Sequence, residues 1–247
     1  MKARVWSRRS NPARGKGRNS APSLGRKRAR FMQPAQPMSR SLPVVSLARH
    51  GETAWTLSHQ HTGISDLPLT PNGEAEAVRL GELLAGRTFA AVFTSPLRRA
   101  VQTCELAGFG SLAVVDPDLT EWNYGAYEGR TTTEILAERP GWQLFRDGCP
   151  DGESPRQVGT RANRVIRRVR AIPGDVLIFS SGHFLRVLAA RWLGLPPGGG
   201  KYFVLGTASL SELAYEHDRS EPVIRLWDER PRDRRAGQVH ARARETA

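Results

Sequence analysis

Val44-Val45-Ser46-Leu47-Ala48-Arg49-His50-Gly51-Glu52-Thr53 is the stretch from which the fold can be read. Residues 44–48 form a short apolar run of strand length, and the run stops abruptly at a cluster of Arg, His, Gly and Glu. Such a run predicts a buried strand. In open α/β sheets ligands bind beyond the carboxyl ends of the strands, where this cluster falls.

Downstream, helix and strand patterns alternate. Thr70-Pro71 predicts a helix start, with a hydroxyl cap followed by proline at the first helical position. Ala77, Leu80 and Leu84 share one face of that helix, which stops near Gly86. Residues 91–94 read as a second strand, followed by a helix led by Pro96 that runs to about Ala107. Ser154-Pro155 repeats the cap-plus-proline start, and Val158, Ala162, Val165, Ile166 and Val169 draw one apolar stripe along a long helix. Residues 175–180 form another strand. The helix after it carries Leu185, Leu188, Ala189 and Trp192 on one face, and Gly194 and Pro196 end it. Two late strands, near 209–215 and 222–227, complete the pattern. The expected fold is an α/β three-layer sandwich with a mostly parallel central sheet, in one domain over 43–228. A second polar cluster, Ser181-Gly182-His183, falls at the end of the 175–180 strand.

The chain has 247 residues and a formal net charge of +13, but the charge is uneven. Residues 1–42 hold 12 Lys/Arg and no acid, and residues 228–247 hold six basic and four acidic side chains. Residues 43–227 are left with 19 basic and 20 acidic residues, so the expected domain is nearly neutral and is not itself a polyanion binder. The first segment, 1–42, is rich in Arg, Ser, Pro and Gly and reads as a disordered basic tail. It could serve as an Arg-rich transit segment, contact nucleic acid non-specifically, or go unmade if translation starts at Met32 or Met38. Residues 229–247 read as a polar tail. No apolar run is long enough to cross a membrane. Cys104 and Cys149 are too few for a disulfide framework and read as idle thiols of a reducing, cytoplasmic compartment.

Arg49-His50-Gly51 alone suits an anionic ligand. Imidazole can accept a phosphoryl group, guanidinium can grip its oxygens, and glycine permits close approach of backbone. Its companions sharpen the reading: Gln60-His61-Thr62-Gly63, Asp66-Leu67-Pro68-Leu69-Thr70, Thr94-Ser95-Pro96-Leu97-Arg98-Arg99-Ala100 and Glu121-Trp122-Asn123-Tyr124-Gly125. In this order they resemble the histidine phosphatase superfamily, in its phosphoglycerate-mutase-like branch, over about 43–227. The stretch from Glu121 to Glu153 is closest in character to sugar-bisphosphate phosphatases of the sedoheptulose-bisphosphatase type.

That resemblance implies a cofactor-independent, metal-independent phosphomonoesterase acting on a small phosphorylated metabolite. It implies His50 as nucleophile, Glu121 as general acid and base, and Arg49 and Arg99 as phosphate clamps. Thr62, Gly63, Tyr124, Ser181, Gly182 and His183 line the substrate pocket on this reading. One position departs from the family pattern. Where the family has a second pocket histidine directly before the glycine, this chain has Ser181, which donates a hydrogen bond but brings no positive charge. His183 falls two positions later, where relatives carry Asn or His. The departure keeps open a catalytically impaired relative that binds phosphorylated ligands or a partner. A mutase fits less well, because Ser181 follows Glu121 by only 60 positions, an interval that is much longer in mutases.

Other conspicuous residues have plainer readings. Arg98 reads as a solvated helix charge and Glu128 as structural. His59 and His61 read as loop residues rather than metal ligands, and Gly198-Gly199-Gly200 as a turn. Trp55, Trp142 and Trp192 read as packing residues. Arg146 is divided between a substrate contact and a salt bridge.

Overall fold

A computed structural model describes residues 42–231. The expected basic tail (1–42) therefore lies outside the described residues apart from Leu42, and so does the polar tail from residue 232 onward. The elements run in the order β1 (Val45–Arg49), α1 (Ala54–Leu57), α2 (Pro71–Leu84), β2 (Ala91–Thr94), α3 (Arg98–Leu106), β3 (Ala113–Val115), α4 (Thr132–Glu138), α5 (Leu144–Asp147), α6 (Pro155–Arg170), β4 (Val176–Ser180), α7 (Gly182–Trp192), β5 (Leu210–Tyr215) and β6 (Pro222–Glu229). The last strand outruns its sequence pattern and carries the chain past residue 228.

The six strands form one sheet in the order β3-β2-β4-β1-β5-β6. The pairs β2–β3, β2–β4 and β1–β4 are parallel, whereas β5 and β6 join antiparallel at one edge. Alternation along the strands divides the core into two layers. Val45, Leu47, Val176 and Ile178 pack with Val158, Val165, Leu185 and Leu188 of α6 and α7. Their neighbours Ala48, Leu177 and Phe179 pack with Leu80, Leu84 and Cys104 of α2 and α3. The sheet thus lies between two helical layers, as expected.

Helix starts follow their caps. The Thr70 hydroxyl accepts from the Gly73 N–H, and Ser154 with Gln157 forms a reciprocal capping box at the head of α6. The helix expected from Pro96 starts two residues later, at Arg98. Leu97 supplies no side-chain cap, and the Asp66 carboxylate accepts the Arg98 N–H at 2.6 Å from another loop. The sequence pattern also passed over β3 and α4, both too short for a clear period.

Register places the functional loops. In the β1–β4 pair Arg49 lies opposite Ser180, so both strands end at the same level and His50 and Ser181 leave the sheet side by side. The Ser180 carbonyl accepts the His50 N–H at 3.0 Å, which locks the two loops together. Leu80, fully buried between α2 and the sheet, tests the layer under β1 and β4. Leu80→Ala is expected to cost about 2–5 kcal/mol in a denaturant titration with the m-value unchanged.

Candidate active site

His50 is held on every side. It is 3% exposed, its carbonyl accepts the Ala208 N–H at 3.0 Å, and the next residue's N–H donates to Thr103 Oγ1 at 3.0 Å. Gly51 has its reason here. A Cβ on it would lie 2.4 Å from the Gly73 carbonyl oxygen, so glycine permits the close approach of α2 rather than of a ligand. His50 Nδ1 lies 2.8 Å from the Gly51 carbonyl oxygen. A carbonyl only accepts, so Nδ1 carries the proton and a neutral ring keeps its lone pair on Nε2. Burial, reinforced by Arg99 and Arg49, holds the His50 pKa well below the ordinary histidine value. The ring therefore stays neutral at pH 7 and offers Nε2 to the cleft it lines.

Glu121 is 5% exposed and also lines the cleft. Its Oε1 accepts from the Trp122 N–H at 2.9 Å and the Phe184 N–H at 2.7 Å, and its Oε2 from the His183 N–H at 2.9 Å. Two of these donors belong to the first turn of α7, where helix N–H groups lack internal partners and attract negative charge. Glu121 thus occupies the place that a side-chain cap from Ser181 would take, and Ser181 makes no cap hydrogen bond.

The Glu121 loop is itself clamped by Arg161. This α6 residue is 9% exposed and donates to the carbonyls of Asp118, Thr120 and Glu121 while pairing with Glu153 at 2.8 Å. Sequence reasoning missed it, although an arginine between Val158 and Val165 on an apolar stripe is the signal of a buried cation.

The expected phosphate clamps are buried but not fully used. Arg49 Nη1 donates to the Leu205 carbonyl. Arg99 donates to the carbonyls of Thr62, Gly63 and Ser65 at 2.8–3.0 Å. Arg49 Nε, Arg99 Nε and Ser181 Oγ are buried donors with no hydrogen-bond partner among the described residues. Buried donors are nearly always paired, and the two arginines among these act electrostatically on His50, which favours an anion there.

The cleft measures about 610 Å³, within the range of small-molecule sites. Arg49, His50, Thr62, Glu121, Tyr124, Gly182 and His183, all named from the sequence, line it. Residues 45–230 match the family model of the histidine phosphatase superfamily (branch 1). The chain belongs to the histidine phosphatase superfamily. Sedoheptulose 1,7-bisphosphatase of Saccharomyces cerevisiae is 39% identical over 186 residues, covering 62% of this chain and 68% of that protein. An acid phosphatase of Mycobacterium tuberculosis is 40% identical over 175 residues, covering 69% and 86%. A solved structure of an open reading frame from Mycobacterium tuberculosis superposes with a TM-score of 0.73 at 36% identity, covering 77% of this chain and 99% of that one.

Within this histidine phosphatase, other expected site residues stand behind the wall. Gly63 packs against Trp122 and Tyr124, and its N–H donates to Glu128 Oε1 at 2.8 Å. The same oxygen accepts the Ser65 N–H at 3.0 Å, so Glu128 and Arg99 together hold the 62–65 loop. Arg99 and Ser181 lie beneath the surface. Trp55, read as packing, lines the cleft, as do His59 and His61, whereas Trp142 and Trp192 are core residues. Arg146 pairs with Asp147 at 2.8 Å away from the cleft, and Arg98 is exposed.

Sequence reasoning missed Arg186, Arg230 and the 204–207 loop, all on the cleft wall. Arg186 sits one helical turn beyond His183, a spacing that could have found it. The described residues hold no group of three or more His, Cys, Asp or Glu able to bind a metal. Both cysteines are buried, and burial pushes each thiol up to about 12. No helix among the described residues is long and apolar enough to cross a membrane.

Burial also lowers the pKa of His183 and, to a lesser degree, His61. In the unfolded chain these imidazoles and that of His50 take up protons near pH 6.5, while the fold resists protonation until the pH is lower. The unfolded state then binds more protons, so stability is full above 6.5 and declines as pH falls below it. Urea midpoints measured from pH 7.5 to 5 are expected to fall, and the slope should shrink in His50→Gln. Midpoints that hold or rise would contradict neutral buried histidines.

Proposed function

We propose that this histidine phosphatase is a phosphomonoesterase that works through a phosphohistidine at His50 on a small phosphorylated metabolite, sugar phosphates foremost. The carrying observation is the hydrogen bond from Nδ1 to the Gly51 carbonyl, which leaves Nε2 unprotonated in the ring that lines the cleft. In the first step Nε2 forms a bond to phosphorus and the bond to the ester oxygen breaks. Glu121, protonated at the start, gives its proton to that leaving oxygen. Its Oε2 has only one N–H partner while Oε1 has two, so Oε2 is the oxygen freer to exchange the proton. In the second step Glu121 takes a proton from water, the water oxygen bonds to phosphorus, and the nitrogen–phosphorus bond breaks. The sum is ester plus water giving alcohol plus phosphate, with His50 and Glu121 restored.

Arg49 and Arg99 supply fixed positive charge to the transferring group, the contribution that a metal ion makes in many phosphoryl transfers. The acid phosphatase and bisphosphatase names of the relatives support hydrolysis, and so does a cleft open enough for water to be the acceptor. Arg186 and Arg230 on the cleft wall favour substrates with further anionic or hydroxyl groups.

Phosphate release from a panel of sugar phosphates and bisphosphates tests the proposal. The parent chain is expected to turn over, and His50→Ala to lose at least about 10³-fold in kcat. Because burial keeps His50 neutral below its ordinary range, kcat/KM should not drop on the acid side until well below pH 6.5. An acid limb centred at 6.5, or full activity in His50→Ala, would refute the assignment.

A further inference from the structure

Ser181 fills the position where a second pocket histidine was expected, and two residues on His183 lines the cleft, half-buried. Its Nδ1 lies 2.6 Å from the Tyr124 hydroxyl oxygen. The direction of that bond follows from what each partner can do. Tyr124 is 1% exposed, and burial, with Glu121 nearby, keeps it a phenol. Its hydroxyl proton has no other acceptor among the described residues. A proton on His183 Nδ1 would set donor against donor or leave the phenol proton orphaned, which buried sites avoid. Tyr124 therefore donates to Nδ1, and the neutral ring carries its proton on Nε2.

His183 Nε2 makes no hydrogen bond to the described residues and is not among the buried unpartnered atoms, so it is reachable from the cleft. The remaining neighbours hold the ring in place without competing for that proton. Phe145 contacts it edge-on with ring centroids 5.4 Å apart, and His61 lies 6.0 Å away, centroid to centroid. Arg186 stacks over Phe145 and donates to the Gly200 carbonyl at 3.1 Å.

We infer that His183, with its tautomer fixed by the Tyr124 hydroxyl, is a substrate-contacting donor that takes the part of the pocket histidine expected at position 181. The inference rests on the phosphatase reading for what is bound, a phosphoryl group, and adds which cleft residue donates to its oxygens. The two cleft histidines then have opposite tautomers: His50 presents a lone pair from Nε2, and His183 presents an N–H from Nε2.

Three variants separate this role from packing. Glutamine can place an N–H near the site of histidine Nε2. Asparagine reaches only as far as Nδ1, so it can keep the Tyr124 contact but not the donor. His183→Asn is expected to lower kcat/KM for para-nitrophenyl phosphate about 10²-fold and to weaken orthovanadate binding, the scale of losing one preorganised donor. His183→Gln should keep most of both. Ser181→His combined with His183→Asn should recover much of the loss, a non-additive outcome that packing alone does not produce. Nitrogen-15 NMR of the parent should show the His183 proton on Nε2, and Tyr124→Phe should release a mixture of tautomers.

A proton on Nδ1, or Asn and Gln variants that behave alike, would overturn the inference. If the parent releases no phosphate, it is the phosphatase reading that fails. Vanadate affinity and the tautomer spectrum then decide the role of His183 on their own.

Discussion

The parallel pairing of β1 with β4, in the register that sets Arg49 against Ser180, is the constraint on which the rest of the site depends. It brings two strand-end loops out of the sheet together, one carrying His50 and the other leading into α7. The first-turn N–H groups of α7 then hold Glu121, which arrives from a third loop clamped by Arg161. A slip of this register would separate His50 from Glu121, the proposed nucleophile and acid, because the Ser180 carbonyl holds the His50 N–H while the Ser180 hydroxyl donates to the Leu119 carbonyl beside the Glu121 loop. The buried residues of β1 and β4, split by alternation between the two helical layers, are what make such a slip costly.

Within that frame the chemistry is set by hydrogen-bond direction more than by charge. A carbonyl that can only accept fixes His50, and a buried phenol that must donate fixes His183. Both rings are kept neutral by burial, with nearby arginines acting in the same direction. The positive charge is left to Arg49 and Arg99, whose guanidinium groups are anchored on carbonyls.

Much of this was legible in the sequence because the signals were local. Thr70-Pro71 and Ser154-Pro155 mark helix starts chemically, and both hold in the structure. The apolar periods of α2, α6 and α7 named core residues that are indeed buried. The Arg49-His50-Gly51 and Glu121-Tyr124 motifs placed the cleft. What could not be read depends on distant chain segments meeting. Asp66 caps α3 from another loop, and Glu128 and Arg99 share the work of holding residues 62–65. The 204–207 loop and Arg230 reach the cleft only because the antiparallel edge β5–β6 folds back beside β1. Gly51 reads from sequence as permitting close approach of backbone in an anion-binding motif, and the backbone that approaches is that of Gly73 in α2, which only the fold reveals.

The central claim, that His50 Nε2 takes the phosphoryl group, is tested most directly by trapping the intermediate. The protein would be mixed with a phosphorus-32-labelled sugar phosphate, quenched in base within milliseconds, digested and sequenced. The account predicts a label that survives base, is lost in acid and maps to His50, with none in His50→Ala. An acid-stable label on another side chain, or turnover with no labelled protein at any quench time, would contradict it.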